Sequence, residues 1–185
     1  QAQTVTWTGA TDDDWETGTN WDAGTEPTTA NPVVIDIDSG TGTSPVIGAG
    51  DSAEGNGIII GDTQDTTLTI EAGGVLNVGG GLNIVGRLTG SHGEVTVTGA
   101  GSTWLGGGND TLHIGLSGEG DIDVTGGANL TADTVLIGSL QGAIGSGRVD
   151  GAGSTWVTDN MTVGSSGQGG FNLSDQAAVT VTNDL

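Results

Sequence analysis

The hexapeptide Gly-Ala-Gly-Ser-Thr-Trp occurs twice in the chain, at residues 99–104 and again at residues 151–156. A hydrolase nucleophile elbow needs a glycine two positions after the serine, and both copies carry tryptophan there. A catalytic serine is also seldom duplicated within one domain. Because self-similarity at a fixed period is the signature of repeat architectures, the duplication predicts a structural repeat.

Segments of the form apolar-x-apolar-Gly recur about every 26 residues, and each is followed by a turn and a second apolar-x-apolar segment. Apolar and polar residues alternate in these second segments, which is the period of a half-buried β-strand. Apolar residues at helical spacing are not sustained anywhere in the chain. The repeated units begin near residues 33, 58, 82, 112, 135 and 161.

Units of this length with glycine-rich corners predict an all-β fold, a parallel β-solenoid of five to six rungs over residues 33–185. The hexapeptide is then a turn, in which glycine permits positive φ and serine or threonine bonds the turn backbone. An antiparallel β-sandwich is the alternative, but it does not require the same side-chain type at the same place in every unit. Stacking the units predicts one buried column of Leu76, Trp104, Leu130, Trp156 and Val179.

Three tryptophans precede the first unit, at Trp7, Trp15 and Trp21. Their apolar area predicts that residues 1–32 form an N-terminal cap over the first rung around residues 33–37. An uncovered end of the solenoid would expose both the core and an unpaired strand edge. Stacking of these rings on sugars is the alternative.

The charge balance limits the partners of this chain. It contains 23 acidic residues against two arginines and no lysine, for a net charge of −21. Such a surface repels nucleic acid and anionic headgroups, so we expect neither as a partner. No apolar run approaches the ~18 residues of a membrane span, so we expect no direct membrane insertion of this segment. Cysteine is absent, which excludes disulfides and thiolate metal sites.

The pattern from Leu82 to Trp104, and more loosely from Val135 to Trp156, resembles the repeat shared by passengers of Gram-negative type V autotransporters and some PEP-CTERM surface proteins. The resemblance implies a right-handed β-helix exposed outside the cell, commonly with adhesive roles. No membrane barrel follows the repeats, so we expect either a fragment of a longer passenger or a chain whose open end pairs with another molecule. The start of the chain resembles the opening of many such passengers at Trp7, Gly9, Trp15, Asn20, Trp21 and Pro27.

Two segments carry candidate cation ligands. Residues 106–115 are close to the calcium-binding nonapeptide of β-roll proteins, in which adjacent copies share each ion. The equivalent turn after the second hexapeptide, residues 157–164, lacks the run of glycines. Asp110 is therefore a candidate calcium ligand, but the second copy of the nonapeptide that would complete the site is missing. Asp12, Asp13 and Asp14 form the other candidate, although exposed loop carboxylates usually face water. We expect no required cofactor.

Other titratable residues offer no obvious catalytic set. His92 and His113 lie in or beside different turns, and the sequence shows no third ligand near either. Carboxylates spaced by two lie on one face of a strand, which is a geometry that a glycosidase can use. Alternation turns their apolar neighbours inward, so we expect these acids to face solvent. The pairs are Asp36 with Asp38 and Asp121 with Asp123.

These observations favour a non-enzymatic segment of a bacterial cell-surface adhesin, exported by type V secretion, that contacts a host surface, a neighbouring cell or copies of itself. One alternative is a subunit of a self-assembling surface fibre. The other is a carbohydrate-active β-helix, whose lyase members cluster basic residues around a uronate. Arg87 and Arg148 occupy non-equivalent positions in their units, which does not provide such a cluster.

Overall fold

The computed structural model describes residues 2–37 and 42–183, which form an all-β solenoid of about seven turns. Every ladder between named strands is parallel. A single 3-10 turn at Gly18–Asn20 is the helical element of the described part of the chain. In those same residues no helix has the length and apolarity needed to cross a bilayer.

The strands follow in chain order as β1 (Val5–Thr6), β2 (Val33–Ile35), β3 (Val46–Ile47), β4 (Ser52–Gly55), β5 (Ile58–Ile60), β6 (Thr66–Ile70), β7 (Val75–Val78), β8 (Leu82–Val85), β9 (His92–Thr98), β10 (Thr103–Gly106), β11 (Thr111–Ile114), β12 (Glu119–Thr125), β13 (Asn129–Ile137), β14 (Ile144–Asp150), β15 (Thr155–Val163), β16 (Gln168–Ser174) and β17 (Ala178–Val181).

Two parallel sheets enclose the core. The six-stranded sheet stacks β3, β6, β9, β12, β14 and β16 in that order. The 11-stranded sheet contains two columns, one with β1, β2, β5, β8 and β11 and the other with β4, β7 and β10. The nine-residue strands β13 and β15 run across both columns and join them, and β17 pairs with β15 as the eleventh strand. One turn of the solenoid therefore visits the six-stranded sheet once and then both columns of the other sheet.

The structure has more turns than the five to six rungs predicted, because residues 2–32 take part in the stack. Strand β1 pairs in parallel with β2, with Val5 opposite Val33, and Asp14 forms a parallel bridge with Val46. A two-residue strand without the glycine pattern of the later units gives no repeat signal in the sequence. The N-terminal segment is thus both a cap and a shortened turn.

The three N-terminal tryptophans close the end of the core. Trp7, Trp15 and Trp21 are all at most 2% exposed and belong to the same apolar cluster as Val33 and Ile35. The Trp21 ring meets the other two edge-on, with centroids 4.9 Å from Trp7 and 4.6 Å from Trp15. Because the rings are buried, they are not a sugar-stacking platform on this surface.

The predicted inward column is present in the stacking register. Trp104 lies opposite Leu76 on one side and Leu130 on the other, and Leu130 lies opposite Trp156. These four side chains are fully buried. Val179 lies opposite Trp156 but is only partly buried, because β17 is in the last described turn.

The first hexapeptide copy forms a turn that is bonded to the turn before it. Gly101 has φ of +88°, a conformation that side chains with a Cβ rarely adopt. Ser102 is fully buried, and its hydroxyl donates to the Thr98 carbonyl at 2.6 Å. The same hydroxyl accepts from the Gly73 N–H of the preceding rung at 3.0 Å.

The second copy repeats this arrangement. The Ser154 hydroxyl donates to the Asp150 carbonyl at 2.7 Å and accepts from the Gly127 N–H at 3.0 Å. Ser154 is fully buried as well. The serine of the hexapeptide therefore satisfies one carbonyl of its own turn and one N–H of the turn below. This structural role accounts for its occurring twice.

Candidate functional site

The outward surface of strands β9 and β12, in the six-stranded sheet, carries one histidine and four carboxylates. Alternation turns Val95, Val97, Ile122 and Val124 into the core, where they are at most 1% exposed. The intervening side chains point out, and the parallel register stacks them one rung apart. We call this surface the acidic face and define it by His92, Glu94, Thr96, Glu119, Asp121 and Asp123.

The acidic face brings together one imidazole and two carboxylates. His92 is the register partner of Glu119, and Asp121 follows two residues later on the same strand. His92 Nε2 lies 2.8 Å from Asp121 Oδ2. One ligand-type atom from each of the three residues lies within 4.8 Å of the others. We call these three residues the His92 cluster; the sequence showed no third ligand near His92, and the adjacent rung brings two carboxylates to it.

A cleft of about 370 Å³ lies beside the His92 cluster. It is lined by residues 89–91 and 117–118 of two stacked turns, and by Asp65, Gly142 and Ile144. His92 and Glu119 line it directly. The His92 and Asp121 side chains are 36% and 35% exposed, so the cluster is reached from solvent.

His113 lies apart from this cluster, on the 11-stranded sheet. Its Nδ1 is 2.8 Å from the Ser139 hydroxyl. Burial lowers the pKa of His113 and therefore favours the neutral imidazole. The two histidines of the chain thus occupy different sheets and different environments.

Asp110, the calcium candidate, is buried inside the stack. Its carboxylate accepts the Asp133 N–H at 2.7 Å and the Asn83 side-chain amide at 3.1 Å. Burial has the largest effect on the Asp110 pKa and raises it, the hydrogen bond from the Asp133 backbone opposes the rise, and the Asp133 carboxylate adds to it. The Asp110 oxygens are used in holding adjacent rungs together.

Asn83 shows why Asp110 is inside. Register places Asn83 opposite Leu112, in an inward column of otherwise apolar side chains. Its side-chain oxygen accepts the Ile58 N–H at 3.2 Å, and its amide donates to Asp110. Leu82, which the sequence marks as the start of its unit, is 52% exposed instead. The buried amide needs a polar partner, and Asp110 provides it.

The other predicted cation ligands organise the N-terminal loop. Asp12 accepts the Asn20 side-chain amide at 2.6 Å, and Asp14 accepts the Glu16 N–H at 2.8 Å. Asp13 is exposed. Asn20 is fully buried, so the Asp12 bond satisfies an amide inside the cap. Within residues 2–37 and 42–183, the geometry brings together three or more potential metal ligands at the His92 cluster and not at this loop.

The paired carboxylates have separate partners. Asp36 Oδ1 accepts the backbone N–H groups of residues 62–64 at 2.8 to 2.9 Å, and its Oδ2 accepts the Thr63 hydroxyl at 2.7 Å. Partial burial acts to raise the Asp36 pKa, but these hydrogen bonds outweigh it and lower the pKa. Asp38 lies outside the described residues. Asp121 contacts His92, and Asp123 lies 4.0 Å from Arg148.

Both arginines are neutralised by aspartates. Arg87 pairs with Asp62 at 3.2 Å, and Arg148 pairs with Asp150 at 2.8 Å. Arg87 follows β8 of the 11-stranded sheet, whereas Arg148 belongs to β14 of the six-stranded sheet. The fold therefore does not gather them into one basic site.

No protein-family model, curated protein or solved structure matches this chain.

Proposed function

We propose that the chain is a non-enzymatic segment of an extracellular bacterial adhesin, the passenger of a type V secretion system or a related surface protein. It contacts a host surface, a neighbouring cell or copies of itself. The observation that carries the proposal is the stacking of outward side chains in register on the acidic face, where Glu94 lies beside Asp121 and Thr96 beside Asp123. Such ladders give the rod a flat polar surface that repeats at about 4.8 Å.

The contrast between the apolar inward surface and the polar outward surface of β9 and β12 supports a role in presenting surface groups to a partner. Apolar side chains are used in a continuous internal core, while the outward positions of β9 and β12 are polar or charged. About seven turns at a spacing of about 4.8 Å give a rod of about 34 Å. A rod of this kind holds its surface groups at fixed positions, which favours many weak contacts along one face over a single deep pocket.

The charge of the chain determines how such contacts form. With a net charge of −21, two copies or two similar cells repel one another at low ionic strength. Salt screens this repulsion within about 10 Å at 0.1 M, and divalent cations bridge carboxylates. We therefore expect contact between copies to strengthen as salt or calcium is added.

Light scattering of the purified chain at low and high ionic strength, with and without calcium, tests this proposal. We expect the average mass to rise with salt or calcium. In salt without calcium, Thr96→Asp adds a negative charge to the acidic face and should weaken association. Thr131→Asp adds the same charge to an outward position of the other sheet and serves as the matched control.

Three outcomes would overturn the proposal. Association that is strongest at low salt and disappears as salt rises would mean that attraction between opposite charges drives it. If the chain grows into linear polymers and Thr96→Asp does not change that growth, the fibre-subunit alternative would be favoured. Turnover of neutral or acidic glycans by the pure chain would favour a carbohydrate-active β-helix.

A further inference from the structure

We propose that the His92 cluster is a binding site for a divalent transition-metal ion, with His92, Glu119 and Asp121 as its ligands. The site lies at the edge of the cleft on the acidic face. It is independent of the adhesive role, because it depends only on these three side chains and the strands that carry them.

The donor set selects the class of metal. Calcium and magnesium take oxygen ligands, whereas an imidazole nitrogen beside carboxylates suits zinc and its first-row neighbours. Zinc sites that bind an external ligand commonly use three protein ligands and leave one position open. In this cluster the open position would face the cleft that His92 and Glu119 line.

The distances are compatible with closure around an ion. Zinc bonds of about 2.0 to 2.2 Å place tetrahedral donors about 3.4 Å apart. The three ligand-type atoms already lie within 4.8 Å of one another, and His92 Nε2 is 2.8 Å from Asp121 Oδ2. The ion would replace that hydrogen bond. Since Glu119 is exposed, its side chain can rotate the remaining distance without movement of the backbone.

The strands hold the three residues in place. Gly93, Gly120 and Ile122 alternate with the ligands and are buried. Strands β9 and β12 pair along their whole length, from His92 opposite Glu119 to the end of both strands. A site on paired strands is positioned more precisely than one on a loop. The surrounding negative charge further raises the local concentration of cations.

The presence of only two histidines makes a direct test possible. We would follow both imidazoles by ¹⁵N NMR during titration with Zn²⁺ and assign them with His113→Asn. We expect Zn²⁺ to shift the His92 resonances in a saturable manner and to leave His113 unchanged. Calcium at the same concentration should not shift His92.

Charge-neutralising variants test the carboxylates. Glu119→Gln and Asp121→Asn should each weaken zinc binding at least tenfold, and His92→Asn should abolish it. Asp123→Asn removes the same charge from the same strand two residues away and should leave the affinity within about twofold. Far-UV circular dichroism checks that each variant keeps its strands, which is expected because the altered side chains lie on the surface.

The contrasting outcomes are distinct. If Zn²⁺ leaves His92 unchanged, the cluster is only a histidine–carboxylate hydrogen bond and the proposal is wrong. Equal shifts of both histidines would indicate non-specific binding to imidazole. An equal loss of affinity in Asp123→Asn and Asp121→Asn would indicate general attraction to the acidic face. Each of these results would reject the site without bearing on the adhesive role.

Discussion

Replacement of Trp104 tests the core of the solenoid most directly. Its ring is fully buried between Leu76 and Leu130 of the adjacent rungs. Loss of about 200 Å² of buried area at about 25 cal/mol per Å² costs about 5 kcal/mol. Among the described residues the indole N–H has no hydrogen-bond partner, so Trp104→Ala also removes a burial cost of about 1 to 3 kcal/mol. We therefore expect a net loss of about 3 kcal/mol.

Two further variants separate the terms of this prediction. Trp104→Phe gives up about 1 to 2 kcal/mol of burial but removes the unpaired N–H, so its stability should lie within about 1 kcal/mol of the natural chain. Leu105→Ala changes the next residue of the same strand, which points outward and is 37% exposed. As a surface substitution it should cost less than about 1 kcal/mol.

Urea unfolding followed by far-UV circular dichroism measures all three variants, since this signal does not depend on the tryptophan being replaced. A loss for Trp104→Ala no larger than that for Leu105→Ala would refute the stacked column. A loss for Trp104→Phe of the full 1 to 2 kcal/mol of burial, about the amount lost with its apolar area alone, would show that the unpaired N–H carries no cost. Either result would require a different account of how the core is held.

Three other perturbations test the turns and the cap. Gly115→Ala should cost more than about 3 kcal/mol of stability, because a Cβ would lie 2.1 Å from the Ile144 carbonyl oxygen. Gly142 also has a positive φ but faces open space, so Gly142→Ala should cost only about 1 to 2 kcal/mol. Equal losses of the two variants in urea unfolding would contradict the steric argument. Asp36→Asn should cost about 1 kcal/mol at pH 7. Folding lowers the Asp36 pKa, so the carboxylate stabilises the fold at pH values above its ordinary pKa of 3.8, and this stabilisation is lost as the pH falls through the folded-state pKa. A stability difference between the natural chain and Asp36→Asn that persists undiminished in acid would contradict this reasoning. Deletion of residues 1–32 should lower the melting temperature by at least about 10 °C and promote aggregation, and a truncated chain that is equally stable and monomeric would contradict the cap.

The repeat could be read from the sequence because it depends on local rules. Alternation gives inward and outward positions, glycine marks the corners, and the apolar-x-apolar-Gly segments set the period, with the Trp-containing turn in every second unit. These rules predicted the column through Trp104 and Trp156. They did not predict that residues 2–32 add a shortened turn, since strand β1 is defined only by its pairing with β2.

The contents of the inward columns show the limit of local rules. Leu82 is the more apolar residue, yet stacking turns it outward and turns Asn83 inward. Strand register is decided by the hydrogen bonds of the whole rung, and one mismatched polar residue is tolerated when Asp110 supplies its partner. The polarity of a single residue therefore does not settle which way it points.

The His92 cluster depends on tertiary structure alone. His92 and Glu119 are 27 residues apart in sequence and become neighbours only because one turn of the solenoid returns the chain to the same place one rung higher. Spacing along a strand shows which side chains share a face, as for Asp121 and Asp123. It does not show which side chain of the adjacent rung lies beside them, because the number of residues per turn varies with the corners. The sequence thus determined the repeating strands and their core, whereas the stacking register decided which surface groups meet.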